Sequence, residues 1–335
     1  MKLVTGATGH IGNVLARRLV EDGEKVRALA LPGEDLSTSK DLDIEWVVGN
    51  VLDLPCLECA FEGVDTVYHL AGVISIMPGK NEMVQQVNLQ GTRHVLQAAQ
   101  KAGVRRLVYT SSIHALNRAP HGVVIDESVP FDPEHAISAY DRSKALASLE
   151  VLEAARQGLD AVIACPTGVI GPYDYRGSEM GHVIRDAMNP GAQLCIEGAY
   201  DFVDVRDVAD GLVRAAEKGR RGESYILSGE RITYRQILET VRQVTGSRLR
   251  LLHIPLWLAR FAAHFAPTYY RLTHSRPRLT PYSLATVASN SVISSAKARR
   301  ELGFAPRPLS ESIADTVRWL FEQRKLAAPV LQRER

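Results

Sequence analysis

The chain has 335 residues, of which 45% are hydrophobic and 23% charged, and its 25 glycines and 16 prolines are too few for a fibrous or low-complexity protein. The 40 Lys and Arg nearly balance the 38 Asp and Glu, so a nucleic-acid partner is not expected. The four cysteines lack secretory spacing, and the first residues lead into a glycine turn instead of an apolar leader. Both features predict a cytoplasmic protein with reduced thiols.

Short β-rich runs alternate with helical stretches through the first half of the chain, which is typical of βαβ units in one parallel sheet. Strands are predicted at KLVT, KVRAL, IEWVV, DTVYHLAG, RRLVYTSS and DAVIAC, and helices at residues 11–21, 54–61, 84–102 and 140–156. Because crossovers between parallel strands are right-handed, the fold class is predicted to be α/β, a doubly wound parallel Rossmann sheet.

After Cys165 the alternation breaks, which predicts a smaller C-terminal substrate-binding lobe. The expected boundaries are 1–165 for the Rossmann domain, with part of 200–230 returning to it, 166–325 for the lobe and 326–335 for a tail. Residues 251–267 form the most apolar stretch, but Arg260, His264 and Pro255 interrupt it, so no transmembrane span is expected. An amphipathic helix that covers a pocket is the favoured interpretation, and peripheral contact with a membrane is the alternative.

A glycine-rich turn, TGATGHIG, links the first strand to the first helix at residues 5–12. There the backbone N–H groups and the helix N-terminus can face a pyrophosphate, and the third glycine lets helix and strand approach closely. The spacing therefore predicts a dinucleotide cofactor. The second strand ends at Ala30 and Leu31, which offer neither a carboxylate for NAD nor a basic group for NADP, so the choice between the two stays open.

Further motifs follow in order at the expected ends of strands and helices. They are His69-Leu70-Ala71-Gly72, Asn88 in VNLQGT, Thr110-Ser111-Ser112, and Tyr140 with Lys144 in a Tyr-x-x-x-Lys pair. Tyr140 and Lys144 lie one helical turn apart, so a phenol and an ammonium group share one helix face. A phenol with a pKa of ~10 must lose about three units to exchange protons near neutral pH, which a neighbouring positive charge favours.

Together these motifs resemble the extended short-chain dehydrogenase/reductase superfamily of the epimerase/dehydratase type, over nearly the whole chain. The resemblance implies that Lys144 binds the nicotinamide ribose, Ser112 holds the substrate oxygen and Tyr140 transfers its proton during hydride transfer. It also implies that Asn88 supports a water and a helix bend beside the lysine. With Tyr140 and Lys144, the expected cofactor contacts are Gly6, Thr8, Gly9, His10, Ile11, Gly12, Asn50, Val51, Leu70, Ala71, Gly72, Pro166 and Val169; no metal is expected.

The segment after the sixth strand reads ACPTGVIGP, with Gly168 where nucleotide-sugar epimerases carry an asparagine. It looks more like the dihydroflavonol reductase and 3β-hydroxysteroid dehydrogenase branch, which implies an apolar, polycyclic alcohol or ketone as substrate. The expected substrate residues are Val73, His114 and Tyr173, with Ile74, Ile76, Met77 and the helix at 256–265 as apolar walls.

Two other functions stay open for this sequence. A nucleotide-sugar epimerase or dehydratase would use the same tyrosine, lysine and serine. A non-catalytic NAD(P)-sensing protein belongs to another class, and such proteins usually lack the Tyr-Lys pair. The resemblance also implies a homodimer formed through the helices at 84–102 and 140–156.

Overall fold

The computed structural model describes residues 1–75, 81–273 and 281–331. Twelve strands are present in those residues: β1 (Lys2–Thr5), β2 (Val26–Ala30), β3 (Ile44–Val48), β4 (Thr66–His69), β5 (Arg106–Thr110), β6 (Ala161–Pro166), β7 (Gly168–Ile170), β8 (Gly191–Ile196), β9 (Ala199–Asp204), β10 (Ser224–Leu227), β11 (Glu230–Thr233) and β12 (Leu249–Ile254). Seven of them form a parallel sheet in the order β10-β6-β5-β4-β1-β2-β3. The predicted doubly wound parallel sheet is confirmed, and all six predicted strands lie in it.

The described residues also form twelve α-helices: α1 (His10–Glu21), α2 (Leu54–Ala60), α3 (Glu82–Gln85), α4 (Gly91–Lys101), α5 (Ala139–Arg156), α6 (Glu179–Ala187), α7 (Val205–Lys218), α8 (Tyr234–Thr245), α9 (Leu256–Thr273), α10 (Pro281–Val287), α11 (Ala296–Leu302) and α12 (Leu309–Leu331). The predicted helix at 84–102 is interrupted, because residues 86–90 form a π-helical turn between α3 and α4. A π-helical turn inserts one extra residue per turn and commonly marks a functional site.

Helices cover both faces of the main sheet. On one face α2, α4 and α5 bury a core around Leu57, Val95 and Val151, and on the other α1 and α7 bury a core around Leu15 and Leu212. Strand β10 pairs with β6, and α7 packs against α1. Within residues 205–227, α7 and β10 therefore pack on the main sheet and its helices. The predicted division of the chain into domains stays a prediction.

The remaining elements form a third core. Strands β7, β9 and β11 make a small sheet, β8 and β12 pair in parallel, and α6, α8 and α12 pack around Ile184, Leu238 and Val317. Helix α8 begins with a capping box at Thr233 and ends at Gly246 in the left-handed conformation. Within the described residues no helix is long and apolar enough to cross a membrane.

The carboxyl ends of β1, β4, β5 and β6 meet at one edge of the main sheet. Each strand is followed there by one of the sequence motifs, since parallel strands bring their following loops together. Residues that are far apart in sequence therefore form one cleft at this edge.

Candidate active site

The turn after β1 is shaped by close backbone contact. Gly6 has a φ of 73°, and a Cβ on Gly12 would lie 2.1 Å from the carbonyl oxygen of Gly6. Helix α1 begins after Gly9, which offers no side-chain cap to the first N–H groups. Unfilled N–H donors at a helix N-terminus, with no side chains in the way, fit the pyrophosphate of a dinucleotide.

Four residues predicted to contact a cofactor lie in the loops and the helix around the glycine turn. The His10 Nε2 atom lies 2.9 Å from the carbonyl oxygen of Pro172, and Ile11 packs against the core beneath α1. The Asn50 Oδ1 atom accepts the N–H of Leu52 at 3.0 Å, and Val51 is buried. These contacts fix the loops around the glycine turn, and the predicted cofactor roles stay predictions.

A carboxylate missed in the sequence lies beside this turn. The chain bends back after β2, and Glu34 accepts hydrogen bonds from the Leu31 N–H at 3.1 Å and the Thr8 hydroxyl at 3.0 Å. Arg176 also bonds to Glu34, and it donates to the Thr8 Oγ1 atom at 2.8 Å. Although burial acts to raise it, the bonds from Arg176, Leu31 and Thr8 hold the pKa of Glu34 below its usual value.

Arg27, the basic residue of β2, points away from the glycine turn. Arg27 donates to Glu45 and to the carbonyl oxygens of Ala60 and Glu62, each at 2.8 Å. Its guanidinium is therefore engaged away from Thr8 and is not available to bind an NADP phosphate at the glycine turn.

A chain of buried hydrogen bonds joins the glycine turn to Asn88. The Ala71 N–H donates to the Thr5 hydroxyl at 3.2 Å, which lies 2.8 Å from Nδ1 of His69, and His69 Nε2 lies 3.0 Å from the Thr92 hydroxyl. Thr92 donates in turn to the Asn88 carbonyl oxygen at 2.7 Å. The two ends of this chain fix the hydrogen on Nε2 of His69, and burial lowers the pKa of that residue to about 3.

Asn88 lies in the π-helical turn and holds two elements together. Its side chain exchanges hydrogen bonds with the backbone of Val73 at 2.7 and 3.0 Å, and its Nδ2 donates to the Ser143 hydroxyl at 2.9 Å. A Cβ on Gly72 would lie 3.1 Å from Asn88 Oδ1 and 3.5 Å from Lys144 Nζ. The loop after β4 is thus fastened beside the lysine.

Lys144 is buried with its ammonium group pointing at the end of β5. Its Nζ donates to the Thr110 carbonyl oxygen at 2.7 Å and lies 4.9 Å above the ring of Tyr109. Burial lowers the pKa of Lys144 to about 8. The protonated form of Lys144 is therefore only slightly favoured near neutral pH, and a nearby negative charge would stabilise it.

Tyr140 and Ser112 lie side by side at the mouth of the same cleft. Loss of solvent raises the pKa of Tyr140 to about 12, and a hydrogen bond with Ser112 acts in the opposite direction. The Ser112 hydroxyl also accepts the N–H of His114 at 3.2 Å, which fixes the position of its oxygen. Desolvation outweighs the hydrogen bond with Ser112, so the phenol keeps its proton at neutral pH.

Two tyrosines that the sequence did not indicate surround this pair. The Tyr200 hydroxyl lies 3.0 Å from Nε2 of His114, and the two rings are stacked. Tyr282 packs 6.0 Å from the same imidazole and donates to Asp141 at 2.8 Å. Desolvation lowers the pKa of His114, so its imidazole is neutral at pH 7. Tyr200 lies in β9 and Tyr282 in α10, and no local pattern relates either to Ser112.

The other predicted contacts lie at the borders of the cleft. Pro166 ends β6 and Val169 lies in β7, directly after it. Tyr173 has a φ of 67°, a conformation unusual for a bulky residue, and its ring packs against Arg17 and Trp319. Leu70 is partly buried beneath the cleft, and Ile74 is exposed. The predicted pocket residues Ile76 and Met77 lie outside the described residues.

Comparison with known proteins gives a consistent result. The family model described as the NAD dependent epimerase/dehydratase family matches residues 2–228. Sterol demethylase protein B of Methylococcus capsulatus is 37% identical over 96% of this chain and 98% of its own length. The 3 beta-hydroxysteroid dehydrogenase/Delta 5-->4-isomerase of Mycobacterium tuberculosis is 28% identical over 96% of this chain and 92% of its own. The crystal structure of gox2253 has a TM-score of 0.84 and 34% identity, and covers 96% of this chain and 98% of that one.

Proposed function

The chain belongs to the NAD-dependent epimerase/dehydratase family, and we propose that it is a reductase or dehydrogenase for a ketone or secondary alcohol on an apolar, polycyclic molecule. The observation that carries the proposal is the pairing of Tyr140 with Ser112 beside the buried Lys144. A sensor protein has no use for a proton donor, an oxygen-binding hydroxyl and a buried ammonium in one cleft. The resemblance in sequence supports the proposal, because it implies that these three residue types act at the reacting carbon.

The roles follow from the protonation states. With a pKa of about 12, the Tyr140 phenol carries a proton that it can donate to a carbonyl oxygen which Ser112 also binds. A bound nicotinamide supplies the hydride exchange. In the oxidative direction the phenol must act as a base, so positive charge close to it has to lower its pKa. Lys144 lies one helical turn after Tyr140 and is held by the Thr110 carbonyl oxygen, and its ammonium group provides one such charge.

The substrate class is inferred from the walls and from the relatives. His114 is neutral and bonded to Tyr200, and Tyr282 is bonded to the buried Asp141, so aromatic surfaces face the cleft while their polar atoms are largely satisfied. Flat aromatic walls bind apolar, rigid molecules through shape and buried area. Two relatives are named for sterols or steroids, which supports a polycyclic substrate here.

The test is substrate-dependent oxidation of NADH and NADPH with a panel of 3-keto steroids, dihydroflavonols and simple aldehydes, each compared with Tyr140→Phe. We expect turnover of a polycyclic ketone that falls by at least about a hundredfold in the variant, since general acid catalysis contributes ~10²–10⁴-fold. Dinucleotide binding, measured by calorimetry, should be unchanged in Tyr140→Phe. Turnover of nucleotide sugars without net cofactor oxidation would instead support an epimerase, and cofactor binding with no turnover would support a sensor.

We propose further that Glu34 makes the enzyme prefer NAD over NADP. Its carboxylate lies against Thr8 of the glycine turn and at the end of β2, where dinucleotide folds place the group that accepts ribose hydroxyls. A 2′-phosphate in that position would face a negative charge, and Arg27, which could have offset it, is bonded elsewhere. Arg176 already pairs with the carboxylate.

Calorimetric titration with NAD and NADP tests this choice independently of turnover. Glu34→Gln should weaken NAD about tenfold through the loss of charge-assisted hydrogen bonds, and tighten NADP about tenfold through the loss of repulsion. Asp35→Asn is the matched control, because Asp35 is exposed and caps only the Ser37 N–H. If instead Arg176→Ala weakened NADP alone in a protein that prefers NADP, Arg176 would be the selective group and the assignment to Glu34 would be wrong.

We also propose a homodimer formed through α4 and α5. These helices lie side by side, joined by an ion pair between Arg93 and Glu150, and Leu149 and Met83 are exposed apolar side chains on this part of the surface. Sedimentation velocity should give a dimer for the wild type and a monomer for Leu149→Glu. A monomer at all concentrations of the wild type would refute this interface.

A further inference from the structure

Helix α9 buries its small side chains and exposes its large aromatic ones, which is the reverse of an ordinary surface helix. Its small residues Ala259 and Ala263 are buried against α10, whereas Trp257, Phe261 and Phe265 are 70%, 63% and 57% exposed. The three aromatic residues recur every four positions, so they form one stripe, and Phe261 and Phe265 touch edge to face at 5.3 Å. Contiguous exposed aromatic surface of this kind usually marks an interaction site.

The apolar surface continues beyond the helix. Leu258 of α9 is 40% exposed, and Leu194 and Leu252 are exposed at paired positions of β8 and β12. The same strands contribute Ile196 and Ile254 to the core beneath α9. Residues Leu194, Leu252, Trp257, Leu258, Phe261 and Phe265 are called the aromatic face below.

Basic residues predominate in the segment of the chain that carries most of the aromatic face. Residues 241–300 contain ten Lys and Arg and no Asp or Glu, while the other 30 basic residues and all 38 acidic ones lie outside this segment. Arg248, Arg250 and Arg260 are exposed. Glu197, which follows β8, lies 3.2 Å from His253. Three exposed arginines and one exposed glutamate on or beside α9, β12 and the end of β8 therefore give this part of a nearly neutral chain a local excess of positive charge.

An exposed aromatic stripe beside which arginines outnumber carboxylates is the pattern of a helix that lies in the interface of an anionic membrane. Aromatic rings enter the boundary between headgroups and acyl chains, and the guanidinium groups bind phosphates above it. A second copy of the chain would bring its arginines against the same arginines, which is unfavourable. The charge therefore favours a lipid surface over self-association.

We propose that α9 docks the protein on an anionic lipid surface through the aromatic face. The docked face lies next to the active site, because α9 packs on α10, and α10 supplies Tyr282 beside His114 and Asp141. An apolar substrate that partitions into lipid would then enter from the membrane side. This last step rests on the proposed function, whereas docking itself does not.

The experiment measures binding of the full chain to vesicles by co-sedimentation. One set is pure phosphatidylcholine, and the other contains about one third phosphatidylserine, to which we expect roughly hundredfold tighter binding from three arginines. Trp257→Ala with Phe261→Ala should weaken that binding about tenfold or more, and Arg250→Glu with Arg260→Glu should abolish the preference for the anionic vesicles. The matched control is Val48→Ser, which removes an exposed apolar side chain from the far edge strand β3.

Each contrary result has a definite meaning. Equal sedimentation of wild type and both double variants would overturn the proposal, as would an absence of binding to either vesicle. Concentration-dependent dimers that Trp257→Ala with Phe261→Ala dissociates would show that the aromatic face binds a second copy instead. An altered KM in this variant with unchanged vesicle binding would show that α9 covers the substrate. Failure of turnover alone would refute the proposed function and leave docking unaffected.

Discussion

Replacing Lys144 with methionine should stabilise the protein at neutral pH, although the lysine is expected to be essential for activity. The side chain is 5% exposed, and burial lowers its pKa from 10.5 to about 8. A base whose pKa is lower in the folded state than in the unfolded state opposes folding at every pH where the folded protein must carry the charge. Methionine has a similar length and no charge, so it removes this penalty.

The magnitude follows from the difference of about 2.5 pKa units, which corresponds to about 3 kcal/mol. Against it stands the loss of the hydrogen bond to the Thr110 carbonyl oxygen, which contributes about 1 kcal/mol. The variant should therefore be about 2 kcal/mol more stable than the wild type at pH 7. Because the unfolded state binds more protons than the folded state between pH 8 and 10.5, the penalty in the wild type falls as pH rises through that window.

Urea denaturation of both proteins without cofactor, at pH 7 and pH 10, measures the difference in unfolding free energy. We expect about 2 kcal/mol in favour of the variant at pH 7 and about zero at pH 10. Lys101→Met is the matched control, since Lys101 is 65% exposed and its replacement should show little dependence on pH. A Lys144→Met protein that is less stable than the wild type by the same amount at both pH values would refute the reasoning.

Three further substitutions test the geometry of the cleft. Gly12→Ala should abolish dinucleotide binding in calorimetry and lower the melting temperature, because its Cβ would lie 2.1 Å from the Gly6 carbonyl oxygen; a variant that binds normally would contradict this. Asn88→Ala should cost about 2 kcal/mol in urea denaturation, since it leaves buried partners unpaired, and should lower kcat more than it changes KM. Tyr200→Phe removes the bond to His114 and should raise KM for the ketone about tenfold without changing the Kd for dinucleotide, whereas equal KM values would place Tyr200 outside the substrate site.

Features fixed by near neighbours were predictable from sequence. The strands of the main sheet, the glycine turn and the pairing of Tyr140 with Lys144 depend on residues within one or two turns of each other. The strands follow from the periodicity of apolar side chains, and the turn follows from the absence of side chains at glycine. The helical repeat places Tyr140 and Lys144 on one face. The resemblance implied a helix bend at Asn88, but the periodicity of 84–102 did not show the π-helical turn at 86–90, where Asn88 bonds to Val73 and Ser143 on other elements.

The assignment of NAD or NADP could not be made from sequence because the expected carboxylate position holds Ala30 and the next position holds Leu31. A turn brings Glu34 back to the end of β2, and only the folded loop shows its carboxylate at Thr8. Tyr200 and Tyr282 likewise reach His114 from 86 and more residues away, through packing of the C-terminal lobe on the sheet.

Helix α9 shows the same division most clearly. The sequence determined that residues 256–265 are helical, apolar and surrounded by arginines, because composition and periodicity are local properties. Which side of that helix faces inward was decided by its packing against α10, where Ala259 and Ala263 are buried beside Leu284. Sequence thus determined the secondary structure, the glycine turn and the placement of Tyr140 and Lys144 on one helix face, and tertiary packing decided which side chains line the cleft and which remain exposed.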